Sequence, residues 1–387
     1  MSRVKMLKDV VKGILAIGVV ITLLLSSCSK NDREVQIVAL PVIAGDFERA
    51  QPGRVFQFPQ DHGAHDTFQS EWWYYTGNVA AETGEHFGYQ LTFFRRALLP
   101  QNAFQERQSA WSTNQAYLAH FALSDVAAGK YVFAERLQRG AAGIAGAVGE
   151  PAFAVWLDHW SVTQTGDHLY RLDAAFADQR IVLDLTEQKS PVLQGKDGYS
   201  QKGEDVGNAS YYYSQTRLAT SGSIYMRNRR YDVTGFSWMD HEFSTSALSA
   251  EQVGWDWFAL QLDDGSELMV YVIRRQDGSQ DVFSAGSVVD PEGSAKTLTY
   301  RDFQIVSKST WHSPHSGAVY PIGWEISVPQ EDLSLMVQAL LADQELNVSF
   351  VYWEGAVRGQ GVRQGRPVTG YGYVEMTGYA HSMQGQF

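Results

Sequence analysis

Short aromatic and β-branched runs recur from Phe68 to the end of the chain, separated by glycine-bearing turns, and few stretches keep a helical period. Such a chain satisfies its backbone by pairing strands, so it is expected to be all-β, a barrel or a sandwich. The clearest hairpin joins residues 71–79 to 87–95 across Glu82-Thr83-Gly84-Glu85. A second joins 255–262 to 267–274 across Asp263-Asp264-Gly265, with Asp-Gly where a tight turn needs positive φ. Further strands are expected at 116–123, 154–164, 168–175, 180–186, 210–218, 222–226 and 231–238, and in a second series at 285–289, 303–307, 320–328, 333–339, 351–357 and 370–376.

The two series resemble one another. In each, an Asp-His pair (Asp61-His62, Asp240-His241) precedes a tryptophan-rich strand (Trp72-Trp73-Tyr74, Trp255-Asp256-Trp257) and a hairpin that returns to an arginine, Arg95 or Arg274. The offset is 179 residues for the Asp-His pairs and 184 for Trp73 with Trp257, which suits a duplicated barrel, although aromatic hairpins also arise without duplication. About 330 residues follow the amino-terminal region, enough for two moderate domains. They are expected at 61–238 and 239–387.

The amino terminus reads as a secretory signal over 1–27, because Arg3, Lys5, Lys8 and Lys12 precede an apolar run from Gly13 to Leu25. Thirteen residues are too few to span a bilayer comfortably. The run ends in Leu25-Ser26-Ser27-Cys28, similar to the bacterial lipobox, in which cleavage precedes a lipid-modified cysteine. Cys28 is therefore the expected lipidation site, and Ser29 after it points to the outer membrane. No second cysteine exists, so no intramolecular disulfide forms. Residues 28–60, with Pro41, Pro52 and Pro59, read as a tether carrying one short strand at 35–39. Removing the signal takes the net charge from -12 to about -15. An acidic surface argues against nucleic acid and anionic head groups as partners, but not against an apolar ligand.

Chemistry concentrates where the second series begins. Trp238-Met239-Asp240-His241-Glu242 and Trp255-Asp256-Trp257 bring acids, a histidine and tryptophans together in a chain that is only 19% charged. Indole faces stabilise positive charge by about 0.5 to 2 kcal/mol each when desolvated, and an acid buried among them has its pKa raised. Acid beside aromatic is a means of making and holding a carbocation. Other chemistries find little support. His62 with His65, and His312 with His315, are three apart but lack the third ligand of a zinc site. Gly-x-Ser-x-Gly is absent, Cys28 is committed to lipid, and no Gly-x-Gly-x-x-Gly follows a strand. Neither a hydrolase triad, a metal nor any cofactor is implied.

Three stretches carry a resemblance. Glu71-Trp72-Trp73-Tyr74-Tyr75-Thr76-Gly77-Asn78, Gly88-Tyr89-Gln90-Leu91-Thr92-Phe93-Phe94-Arg95 and Trp238-Met239-Asp240-His241-Glu242-Phe243 resemble the family that joins carotenoid 1,2-hydratases with the attachment-locus protein AttH. The resemblance implies two tandem lipocalin-like barrels, ligands such as polyenes, isoprenoids or lipids, and, in the lipoprotein branch, an ABC exporter as a neighbour. The Asp-His-Glu-Phe run followed by Ser244-Thr245-Ser246 is closer to the AttH branch than to the pigment hydratases.

A 1,2-hydratase must protonate an unactivated alkene, hold a tertiary cation and deliver water. Here Asp240 or Asp256 is the candidate acid, kept protonated by Trp238, Trp255 and Trp257. His241 is its candidate partner or base, Glu242 a second carboxylate, and Tyr271, Tyr212 and Tyr74 a candidate ligand lining. Strand alternation puts Trp255 and Trp257 on one face and Asp256 on the other, which favours Asp240. The same residues also suit a hydrogen-bonded corner between barrels, with charge met by Arg95 or Arg274. Glu71, nearly opposite Arg95 across its hairpin, is either an acid or half of a structural ion pair. The leading expectation is hydratase-like addition of water to an alkene; the rival is a non-catalytic carrier of hydrophobic ligands or an exporter accessory protein.

Overall fold

Side-chain alternation along each strand decides which residues build which part of the molecule. The computed structural model describes residues 47–384 except 106, 206, 246 and 247. Cys28, the signal over 1–27 and the strand expected at 35–39 lie outside the described residues. The strand Ser70–Ala81 pairs with His86–Ala97 on one side and with Arg229–Ser244 on the other. One of its faces sends Trp73, Tyr75 and Val79 into the first core, while Trp72 and Tyr74 on the other face meet the second half of the chain. Both faces are buried, which is why the run is aromatic at successive rather than alternate positions.

Among the described residues, thirteen strands form one curled sheet and ten the other. In both sheets the opening strand lies between the second strand and the last. Gln252–Leu262 thus sits between Glu267–Arg275 and Arg366–Met376, as Ser70–Ala81 does between its partners. The spatial order agrees over nine strands of each sheet, so the duplication is present in the topology. The fold is all-β, two tandem lipocalin-like barrels with separate cores.

The repeat is displaced by one residue from the offset of Trp73 with Trp257. Trp72 and Tyr74 correspond to Trp255 and Trp257, all four facing the space between the barrels, whereas Trp73 points inward. With a side-chain period of two, a one-residue slip exchanges the faces. The Asp-His pairs do not correspond either: Asp61-His62 ends the 3-10 turn Gln60–His62 ahead of the first strand, and Asp240-His241 lies within Arg229–Ser244. That strand stays in the first sheet to its end, so the chain changes barrel between Ser244 and Gln252 rather than at 238/239. The runs 210–218 and 222–226 are one strand, Ala209–Met226, with an irregularity between Gln215 and Leu218. Lys130–Arg139 and Ala295–Thr299 are additional strands at the sheet ends; the second is largely solvent-facing, whereas the first is mostly half-buried, with Val132 and Ala134 against the first core and Tyr131 and Phe133 against Tyr352 and Leu346, so neither shows a clear apolar alternation. The described part of the expected tether packs onto the first barrel, with Phe47 and Ala50 buried and the Tyr211 hydroxyl donating to the Gln51 carbonyl.

Buried polar bonds join the barrels. Glu267 of the second receives Lys189 Nζ at 2.7 Å and Arg217 Nε at 2.5 Å from the first. Asn78 Nδ2 donates to the Gly372 carbonyl at 2.8 Å. At Gly88 the two approach closely: a Cβ at this position would collide with that of Ala356.

Candidate functional site

The shared face of the barrels is made by alternate residues of several strands. Trp72 and Tyr74 come from the first strand, Ser210 and Tyr212 from Ala209–Met226, and Trp238, Asp240 and Glu242 from Arg229–Ser244. The second barrel contributes Trp255, Trp257 and Tyr271, and Glu375 from its last strand. Between them lies a cavity of about 130 Å³, similar to the roughly 150 Å³ cavity that admits benzene. Tyr74, Tyr212, Trp257 and Tyr271 give it aromatic walls, with Asp240 and Glu375 among its polar groups. Trp257 meets Tyr74 and Trp238 edge-on, at ring separations of 5.2 and 6.2 Å.

Asp240 is the best-held acid in the cavity. Its Oδ1 accepts from Ser214 Oγ at 2.5 Å and from Trp238 Nε1 at 2.7 Å, and its Oδ2 accepts from the Tyr212 hydroxyl at 2.7 Å. Burial pushes its carboxyl up to about 7, against the pull of these three donors. Trp257 Nε1 in turn donates to the Tyr212 oxygen at 3.2 Å. Glu375 is pushed up to about 8, by burial and then by the nearby charges of Asp240 and Glu242. Directly across from Glu375 in the strand register stands Glu354, which accepts from the Tyr74 hydroxyl at 2.7 Å. Burial and the facing Glu375 hold Glu354 well above the usual carboxylate range.

Also in the cavity lining, Glu242 has Lys202 Nζ at 3.4 Å, and that ammonium lies 4.1 Å from the centre of the Tyr271 ring. Burial opposes the lysine's charge, but Glu242 and Tyr271 outweigh it and its pKa is raised.

The structure separates the remaining candidates from this cavity. His241 is on the opposite face of its strand from Asp240, so it is not that acid's partner. It stacks on Trp73 and contacts Glu71 Oε1 at 2.8 Å through Nε2 and the Tyr213 hydroxyl at 2.9 Å through Nδ1. Glu71 is directly opposite Arg95 in register and accepts from its Nε at 2.8 Å, which makes it the structural ion pair. Asp256 likewise faces away, accepting from Arg274 Nε at 2.9 Å and from the Tyr379 hydroxyl at 3.0 Å. Trp238, Trp255, Trp257, Tyr271, Tyr212 and Tyr74 all line or back the cavity.

His65, Glu71 and His241 have potential ligand atoms within 4.8 Å of one another. Glu71 Oε1 hydrogen-bonds both imidazoles, while the Arg95 guanidinium holds Oε2. A buried guanidinium beside the third ligand repels a cation, so this donor set fits a hydrogen-bonded network better than a metal. The network continues from His65 Nε2 to Asp61 at 3.0 Å, and from Tyr213 to His62 Nδ1 at 2.7 Å.

Glu375, Glu354 and Lys202 were not among the sequence candidates. Alternation in the last strand puts Tyr373 and Glu375 on one face, a signal visible in the sequence, but only pairing of that strand with Gln252–Leu262 aims the face at Asp240. Lys202 sits in a loop with no periodic signal.

Residues 49–379 match the AttH-like family. The structure is similar to the crystal structure, at 2.00 Å resolution, of a candidate AttH from Nitrosomonas europaea, with 36% identity and a TM-score of 0.76 over 86% of this chain and 99% of that one. It is also similar in fold to kievitone hydratase from Nectria haematococca, with 13% identity and a TM-score of 0.65 over 84% of this chain and 94% of that one. No curated protein matches the chain in sequence. The family match over nearly all the described residues and the shared two-barrel architecture agree: this chain belongs to the AttH-like family.

Proposed function

We propose that the cavity between the barrels binds the alkene end of an isoprenoid or polyene and that Asp240 protonates it, so that water adds to the resulting cation. In the same reading, a lipid on Cys28 holds the protein at the outer membrane, facing the periplasm beside an exporter. The observation that supports the chemistry is Asp240 itself, an acid poised near neutrality inside an aromatic cavity.

Oδ1 of Asp240 already accepts from two donors, so the acidic proton belongs on Oδ2, beside the Tyr212 hydroxyl. The alkene π pair takes this proton at the less substituted carbon and leaves positive charge on the other. The rings of Trp257 and Tyr74 face that charge. A water lone pair closes the new C–O bond, and the water's surplus proton returns to the Asp240 carboxylate, restoring the acid. Glu375, protonated at neutral pH, hydrogen-bonds the water as it attacks. The cavity volume suits an isoprene-sized end, with the rest of a longer ligand leaving through the mouth.

The test is incubation with a panel of isoprenoids and polyenes in heavy-oxygen water. Mass spectrometry should find the label in an alcohol product with the wild type and none with Asp240→Asn. Label-free products across the panel would remove the hydratase reading.

A further inference from the structure

We propose that the cavity selects ligands carrying a neutral hydroxyl head, held by Lys202, Glu242 and Ser210, with the apolar alkene end reaching inward to Asp240. This rests on the reading of the cavity as a ligand site and adds the class of ligand.

Three rungs of the strand pair Ala209–Met226 and Arg229–Ser244 carry it. The register sets Ser214 opposite Asp240, Tyr212 opposite Glu242, and Ser210 opposite Ser244. Each rung is two residues from the next, about 6.7 Å along the strand. The first rung is the acid. The middle rung holds Glu242, with Lys202 Nζ 3.4 Å from it. The third rung holds Ser210, a residue of the cavity lining whose Oγ is buried and has no hydrogen-bond partner. A buried hydroxyl left unpaired destabilises the fold, so its retention in a cavity wall points to a ligand atom that satisfies it. Lys202 carries three N–H donors, of which Glu242 takes one direction and the Tyr271 ring another.

The charges choose among possible heads. A hydrocarbon leaves Ser210 unpaired and excludes water from the Lys202–Glu242 pair without replacing it. A carboxylate would bring a second negative charge beside Glu242, and an ammonium would meet Lys202. A hydroxyl accepts from Lys202 Nζ and Ser210 Oγ and donates to the Glu242 carboxylate. An ether or ester accepts but cannot donate. The spacing of the rungs then places the reacting alkene roughly one step, about 7 Å, from the hydroxyl oxygen.

The experiment is a titration of the full-length protein, followed by tryptophan fluorescence, with geraniol, its methyl ether and the hydrocarbon of the same skeleton. Geraniol should bind about tenfold more tightly than the other two. Ser210→Ala, which removes a hydroxyl that bonds nothing in the protein and so leaves the fold undisturbed, should shrink that preference about threefold. Lys202→Met combined with Glu242→Gln, which avoids stranding either charge, should abolish the preference while the hydrocarbon binds as before. Equal affinities in the wild type, or an unchanged preference in both variants, overturn the hydroxyl proposal and leave the cavity reading standing. Failure of all three probes to bind overturns both. Binding does not report turnover by Asp240, so the labelled-water experiment decides the hydratase reading separately.

Discussion

Asp240 and His241 are neighbours in the chain whose side chains serve different parts of the molecule. Asp240 meets the Tyr212 hydroxyl at 2.7 Å in the cavity, and His241 meets Glu71 at 2.8 Å inside the first barrel. Their amide and glutamine variants should therefore separate. Asp240→Asn keeps an oxygen for Ser214 and Trp238 and offers an N–H to Tyr212, so the fold and ligand affinity persist while turnover falls by roughly 10² to 10⁴. His241→Gln should leave ligand affinity alone and cost about 1 to 3 kcal/mol in denaturant unfolding, through the partners it strands. Full turnover in Asp240→Asn would remove Asp240 as the acid, and ligand binding without turnover in the wild type would identify a carrier instead.

If Asp240 is the acid and Glu375 assists the water, these two carboxyls set the pH profile. Burial raises both carboxyls, to about 7 and about 8, and in the proposed mechanism the protonated forms are the active ones. kcat should fall as pH rises through these values, and Glu375→Gln should remove the upper limb while Asp240 still governs the lower. The same shifts act on stability. Between the unfolded carboxylate values, near 4, and the folded ones the native state holds more protons, so stability is lost as pH rises across that window. Chemical denaturation on either side of it should show a weaker loss in Asp240→Asn than in the wild type.

His62 and His65, three residues apart, should respond to pH with opposite signs. Burial lowers His62 to about 3, so the unfolded chain takes the proton first and stability drains away as pH falls from about 6.5 towards that value. Burial also opposes a charge on His65, but Glu71 and Asp61 outweigh it and raise its pKa, so its contribution is full in acid and lost as pH rises through the raised value. Hydrogen exchange at the Asp61 and Phe68 amides, which bond within this segment, should show an optimum between the two limits. His62→Gln should extend protection on the acid side only.

The close approach of Gly88 to Ala356 gives a packing test independent of chemistry. Gly88→Ala should destabilise the protein by about 1 to 3 kcal/mol, because the obstacle is a Cβ fixed to a strand rather than a flexible side-chain end. Ala356→Gly should recover part of that loss in a double-mutant cycle. An additive pair would mean that the barrels slide to accommodate the methyl group.

Much of this was legible in the residues because strand periodicity is local. The hairpins at Glu82-Thr83-Gly84-Glu85 and Asp263-Asp264-Gly265 form where their turn chemistry places them, and Asp256 falls on the face opposite Trp255 and Trp257, as alternation requires. Glu71 opposite Arg95 follows from counting across one hairpin. The same alternation along Arg229–Ser244 parts His241 from Asp240, which adjacency in sequence alone does not reveal. Lys130–Arg139 carries no period-two signal because both of its faces are half-buried, Val132 and Ala134 on one and Tyr131 and Phe133 on the other.

The sequence by itself determined the strands, their faces and the aromatic surroundings of Asp240, since each depends on neighbours a few residues away. Only the tertiary structure decided that the last strand of each barrel returns beside the first, that Glu375 and Lys202 share a cavity with Asp240, and that His241 belongs to the network of Glu71. Those outcomes depend on pairing between distant segments and on the packing of one barrel against the other, which alternation along a single strand cannot specify.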